Sequence, residues 1–223
     1  MADSGLKRAP WKPDISSLPW QSRWACHLLK PLSRFLYRPR YYGLENLPAQ
    51  GPYIILANHQ SFFDVMLINP ALPVIPIWLG KKELFENPLM APVIRGFGAI
   101  AINREDSNFS AVKQIFAKLK AGEVVAVFPE GTRIKPGRQG EIIPKTGIVH
   151  LLSRAKVPLI PVAVEYPYRL FRKHRVVIGQ AFSLPAIQRG EEAEAGKFIL
   201  RTIYGLLGDL PPSLENRRQE RSL

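Results

Sequence analysis

Tyr53-Ile54-Ile55-Leu56-Ala57-Asn58-His59-Gln60-Ser61-Phe62-Phe63-Asp64 is an apolar run followed at once by a polar turn and a helix-start pattern. Unbroken apolar residues without polar alternation suit a strand buried on both faces, as in a parallel sheet covered by helices. Ser61 with Asp64 three positions on predicts a helix N-terminus, and Asn69-Pro70 its stop. The stretch is therefore one strand–loop–helix unit, with a histidine where the strand emerges.

The same rhythm recurs along the chain. Tyr41 to Gly43, Val74 to Leu79, Ala99 to Ile102, Glu123 to Phe128, Val157 to Glu165 and Val176 to Gly179 suit strands. Phe109 to Leu119, Lys145 to Ala155 and Glu191 to Leu207 have helical periodicity, and Pro88 and Pro92 interrupt a helical tendency over Lys81 to Arg95. This alternation predicts an α/β fold, a largely parallel central sheet flanked by helices. Gly96-Phe97-Gly98-Ala99-Ile100-Ala101 matches a loose dinucleotide pattern but precedes a strand, the wrong context for that site.

Three regions are expected: an amphipathic, membrane-associating segment over 1–40, the main domain over 41–210, and a polar tail over 211–223. Trp20, Trp24, Leu28, Leu32, Phe35 and Leu36 recur at helical spacing in the first region, which Pro31 should kink or split. Residues 1–44 hold eight Lys/Arg against two Asp/Glu, a net of +6. Basic residues opposite Trp and Leu suit a helix lying in a membrane interface, and a helix packed on its own domain fits as well.

The 223 residues carry 31 Lys+Arg and 18 Asp+Glu, a net charge of +13. That excess points to an anionic partner, whether nucleic acid, membrane surface or phosphorylated substrate. The single Cys26 allows no internal disulfide. No signal peptide is expected, and no apolar window is long enough for a membrane-spanning helix, so the expectation is a peripheral membrane protein on the cytoplasmic face. No Cys/His/Asp spacing suggests a metal, and no cofactor is expected.

In open parallel sheets, working residues collect beyond the carboxyl ends of the strands. Three predicted strand ends carry Asn58, His59 and Asp64; Asn103 and Arg104; and Glu130, Thr132 and Arg133. Five residues turn a continuous helix through about 500°, so His59 and Asp64 meet only across a break. With His59 on the loop and Asp64 in the first helical turn, the carboxylate can hold one imidazole nitrogen and leave the other as a general base. Alone, N-H-x4-D also fits a carboxylate placed favourably at a helix N-terminus. The oxyanion donors are open, with a backbone N–H near His59 or Asn58 itself as candidates.

Phe128-Pro129-Glu130-Gly131-Thr132-Arg133 is far more specific: six fixed residues arise by chance in about one such chain in several hundred thousand. With it, the chain resembles the glycerolipid (1-acylglycerol-3-phosphate) acyltransferase family. The blocks stand in order as Asn58 to Asp64, Gly98 to Arg104, Phe128 to Arg133 and Val157 to Val162. The second block departs at Ala101, usually aromatic, and at Asn103, frequently acidic, while Arg104 is kept. The resemblance implies transfer of a fatty acyl group from acyl-CoA or acyl carrier protein to a lysophospholipid hydroxyl, with lysophosphatidic acid giving phosphatidic acid. Another lysophospholipid or glycerol 3-phosphate is the alternative acceptor, and a non-catalytic membrane-binding scaffold the alternative function.

On that reading His59 and Asp64 are catalytic, and Arg104, Glu130, Gly131 and Arg133 bind the acceptor. The forked guanidiniums suit its phosphate. The expected partners are an anionic membrane surface, the lysophospholipid and the acyl donor, with no nucleic acid. A serine hydrolase built on Ser61 lacks the G-x-S-x-G elbow. A nucleic-acid module would leave the His/Asp pair and F-P-E-G-T-R unexplained. The basic cluster Arg169, Arg172, Lys173, His174 and Arg175 is expected to be a solvated loop, with an anionic-lipid or coenzyme A contact as the other option.

Overall fold

The computed structural model describes residues 31, 34–88, 91, 94, 99–102, 109–135, 137–208 and 214. Seven strands form one sheet: β1 (Pro39–Tyr42), β2 (Tyr53–Ala57), β3 (Ile77–Lys81), β4 (Ile100–Ile102), β5 (Val124–Val127), β6 (Leu159–Val164) and β7 (His174–Ile178). The described α-helices after β1 are α1 (Asp64–Ile68), α2 (Lys82–Glu86), α3 (Phe109–Lys120), α4 (Thr146–Ala155) and α5 (Glu192–Tyr204). Of the expected amphipathic segment, residues 1–30 lie outside the described residues, while 34–37 form a helical turn with Tyr37 buried. No described helix is long and apolar enough to cross a membrane.

The strand order is β1-β7-β6-β2-β5-β3-β4. From β6 to β4 all neighbours are parallel, whereas β7 runs antiparallel to β6 and carries β1 parallel beside it. Connection length explains the reversal. Residues 165–173 join β6 to β7, fewer than the roughly dozen that a parallel crossover needs.

β2 shows why an unbroken apolar run was required. Tyr53, Ile55 and Ala57 face one core with Leu67 and Ile68 of α1, while Ile54 and Leu56 face a second core with Ile115 of α3, Leu152 of α4 and Ile199 of α5. The two-residue side-chain period splits one strand between two apolar layers. Pro161 is tolerated in the interior strand β6 because the β6–β7 pairing begins at Val162↔Ile178. Just beyond that pairing, the Pro161 carbonyl accepts the Gly179 N–H at 2.8 Å. The N–H that proline lacks is therefore missing only at the end of the β6–β7 ladder, outside its paired residues.

Candidate active site

The adjacent strands β6, β2 and β5 end at the same edge of the sheet. Beyond β2, Asn58 is buried and extends the pairing with its side chain: Nδ2 donates to the Val164 carbonyl at 2.9 Å, and Oδ1 accepts the Val164 N–H at 2.8 Å. The amide thus imitates one more residue of parallel ladder. Its donors are spent within the fold, which removes Asn58 from the oxyanion candidates.

The chain then turns through His59, Gln60 and Ser61, and Asp64 ties this turn together. Its Oδ2 accepts the Gln60 N–H at 2.8 Å and the Ser61 N–H at 2.9 Å, and lies 2.8 Å from His59 Nδ1. Its Oδ1 accepts the Tyr168 hydroxyl. An ionised carboxylate only accepts, so Nδ1 carries the proton towards Asp64 and Nε2 presents its lone pair. Among the described residues Nε2 has no hydrogen-bond partner, and the His59 side chain is 21% exposed while that of Asp64 is 1% exposed. A buried carboxylate with every oxygen engaged holds a half-open imidazole, the arrangement a general base requires.

The Ser61 hydroxyl accepts the Phe63 N–H at 3.2 Å, and α1 begins only at Asp64. Ser61 therefore supports the turn ahead of the helix and does not cap it.

A second carboxylate grips the same loop from β5. Glu130 is 4% exposed; its Oε2 accepts the His59 N–H at 2.8 Å and its Oε1 accepts the Tyr204 hydroxyl of α5 at 2.6 Å. Burial pushes this carboxyl up to about 7, the two hydrogen bonds oppose that rise, and the negative charge of Asp64 adds to it. The His59 carbonyl accepts the Ile134 N–H at 2.7 Å. Both peptide groups of the histidine are thus fixed by the segment after β5.

Aromatic rings set its side-chain plane. The imidazole stacks on Phe128 at 3.9 Å and 14°, and Phe128 stacks on Trp78 at 4.7 Å. Trp78 is held in turn by its indole N–H, which donates to Asn69 Oδ1 at 2.9 Å. Tyr168 packs between Tyr37 and the buried His174, whose Nε2 is occupied by the backbone of Arg169.

Gly131 follows Glu130 with φ 65, a left-handed conformation that glycine adopts without steric cost. Arg133 is exposed beside Ile134, at the rim of the His59 loop, and makes no ion pair among the described residues. Arg104 and Asn103 lie outside the described residues. Of the basic cluster, Arg169, Arg172 and Lys173 lie on an exposed loop, whereas His174 and Arg175 belong to β7. His174 is buried because it begins a strand packed beneath Tyr37 and Tyr168.

The acyltransferase family matches residues 38–165, which contain both carboxylates and the histidine. This chain belongs to the acyltransferase family. The 1-acyl-sn-glycerol-3-phosphate acyltransferase of Bacillus subtilis (strain 168) is 33% identical over 148 residues, 63% of this chain and 72% of the relative. The human 1-acyl-sn-glycerol-3-phosphate acyltransferase alpha is 31% identical over 137 residues, 59% of this chain but 47% of the relative. In fold, the chain is similar to the crystal structure of the 1-acyl-sn-glycerophosphate (LPA) acyltransferase PlsC from Thermotoga maritima. The TM-score is 0.59 at 21% identity, covering 88% of this chain and 86% of that one.

Three residues of this acyltransferase's site carried no sequence signal. Tyr168 and Tyr204 act on partners 104 and 74 positions away, and Trp78 reaches the histidine only through Phe128. An exposed-looking tyrosine after a strand, or an apolar-patterned tyrosine on a helix, has nothing local to mark it.

Proposed function

We propose that this acyltransferase moves a fatty acyl group from a thioester, acyl-CoA or acyl carrier protein, to the free hydroxyl of lysophosphatidic acid. His59 Nε2 removes the hydroxyl proton as the oxygen attacks the thioester carbonyl. The tetrahedral intermediate then collapses, the C–S bond breaks, and the imidazolium returns the proton to the departing sulfur. The products are phosphatidic acid and a free thiol, with no acyl-enzyme intermediate. Asp64 keeps Nδ1–H oriented and balances the imidazolium charge while it exists.

The observation that carries this reading is the buried Asp64 carboxylate holding Nδ1 at 2.8 Å while Nε2 stays unpaired among the described residues. Supporting it are the activities named for the relatives above and the exposed Arg133 at the rim, which with Arg104 would take the acceptor phosphate. Glu130 acts from behind, by fixing the His59 backbone. The domain assignment accompanies this function: 1–40 meets an anionic membrane surface and 41–210 performs the transfer.

The test is transfer of a radiolabelled acyl group by purified protein to lysophosphatidic acid, other lysophospholipids and glycerol 3-phosphate, alongside His59→Ala. Lysophosphatidic acid is expected to be the best acceptor and the variant to lose at least about a hundredfold in kcat. An unchanged rate in His59→Ala would sink the mechanism. Failure of every acceptor would favour a scaffold.

A further inference from the structure

The loop after β6 that carries Tyr168 inwards carries large apolar side chains outwards. Leu170 and Phe171 are 57% and 55% exposed, and Phe35, on the helical turn at 34–37, is 67% exposed. The two segments are locked together: the Phe171 N–H donates to the Leu36 carbonyl at 2.6 Å, and the rings of Phe35 and Phe171 meet edge-on at 5.6 Å. Exposed Phe63, in the His59 loop, reaches the same patch through Tyr37 at 5.2 Å. Grouped apolar exposure of this kind marks an interaction site.

Phe171 also has φ 60, a left-handed conformation that costs a bulky residue energy and that asparagine or glycine would take more cheaply. Folding alone gives no reason to place an exposed phenylalanine there. The surrounding charge is of one sign. Arg34, Arg38, Arg169, Arg172 and Lys173 are exposed, and segments 34–40 and 166–174 contain no Asp or Glu. Among the described residues these five make no ion pair, whereas Lys118, Arg138, Lys197 and Arg201 each have a carboxylate partner.

We propose that the 166–173 loop, with the 34–37 turn it packs on, is a docking surface for an anionic phospholipid bilayer, separate from residues 1–30. The inference rests on the reading above of a lipid transferase at a membrane. Aromatic and leucine side chains ringed by Arg and Lys that make no ion pair among the described residues match an anionic headgroup layer over an apolar interior. A second copy is disfavoured by the net charge of +13 on each chain, which docking would bring together. Through Tyr168 the same loop touches Asp64, so the docked face stands beside the catalytic pair, where a lipid acceptor would enter.

The test uses the full chain with phosphatidylcholine vesicles, alone and mixed with phosphatidylglycerol. Leu170→Ser/Phe171→Asn should bind the mixed vesicles about tenfold or more weakly than the parent. Its melting temperature should not fall, because asparagine relieves the left-handed residue. Undiminished binding would overturn the proposal. In a second measurement, Leu170→Cys in a Cys26→Ser background is labelled with an environment-sensitive dye. A blue shift and quenching by nitroxide lipid on adding mixed vesicles are expected. A dye already blue-shifted without vesicles and unresponsive to them would mean that residues 1–30 or a second copy cover the patch, and would also overturn the proposal.

If the parent protein binds no anionic vesicle, the membrane partner proposed above fails too. If it binds but the double variant binds equally, only the loop inference fails. Acyl transfer to dispersed acceptor, measured on the same samples, reports on the reaction independently of docking.

Discussion

Tyr168 donates its hydroxyl to Oδ1 of Asp64, while the other oxygen of that carboxylate holds Nδ1 of His59 at 2.8 Å. A loop at the far end of β6 thereby fixes the carboxylate that orients the imidazole. Phe at 168 keeps the ring packed against Tyr37 and His174 but removes the donor. Tyr168→Phe should lower kcat roughly fivefold, the factor that about 1 kcal/mol of lost orientation represents. KM should be unchanged; a rise in KM with kcat preserved would place Tyr168 on the substrate.

Asp64→Asn keeps the shape but removes the charge that stabilises the imidazolium and can turn an N–H towards Nδ1. Loss of about a hundredfold or more in kcat is expected. The variant should also melt earlier, since Gln60 and Ser61 lose an ionised acceptor. Steady-state kinetics with thermal melts on the same preparation would check both effects, and near-parental kcat would rule out this role.

Glu130 links stability to pH. Its folded value of about 7 lies above the ordinary 4.5, so the folded protein retains a proton that the unfolded chain has released. The stability it contributes is therefore fully present below about 4.5 and is lost as pH rises through about 7, a change on the order of 3–4 kcal/mol. Glu130→Gln still accepts the His59 N–H and does not titrate. Denaturant unfolding at the two ends of this window should show the parent losing stability that the variant keeps. Equal losses in both would contradict the assignment.

Asn58→Ala removes both bonds to the backbone of Val164 and leaves that buried N–H and carbonyl unpaired. Destabilisation of about 2–3 kcal/mol is expected from two orphaned groups, read as a lower denaturant midpoint at unchanged slope. A shift within experimental error would show that other partners replace the amide.

Much of the fold was readable because its causes are local. The unbroken run Tyr53 to Ala57 demanded burial on both faces, and the structure supplies two apolar cores. The antiparallel placement of β7 was not readable, since which strands become neighbours depends on packing across the sheet. The expected cap at Ser61 failed for a related reason: Asp64 takes the nearby backbone donors first, and the helix starts with it.

The amino-acid sequence by itself placed a histidine and an aspartate five positions apart across a strand–loop–helix break, where they could meet or where the aspartate could serve only the helix N-terminus, and the structure shows that they meet. It also settled the family, through ordered blocks that include Phe128 to Arg133. Only the tertiary structure decided what steadies the pair. Tyr168, Tyr204 and the buried orientation of Glu130 depend on β6, β5 and α5 converging at one edge of the sheet, and no local pattern encodes contacts 104 and 74 residues apart. The same convergence turned Glu130 inwards to the His59 N–H, because a carboxylate at the end of a central strand, beneath α5, meets a backbone donor before it meets solvent.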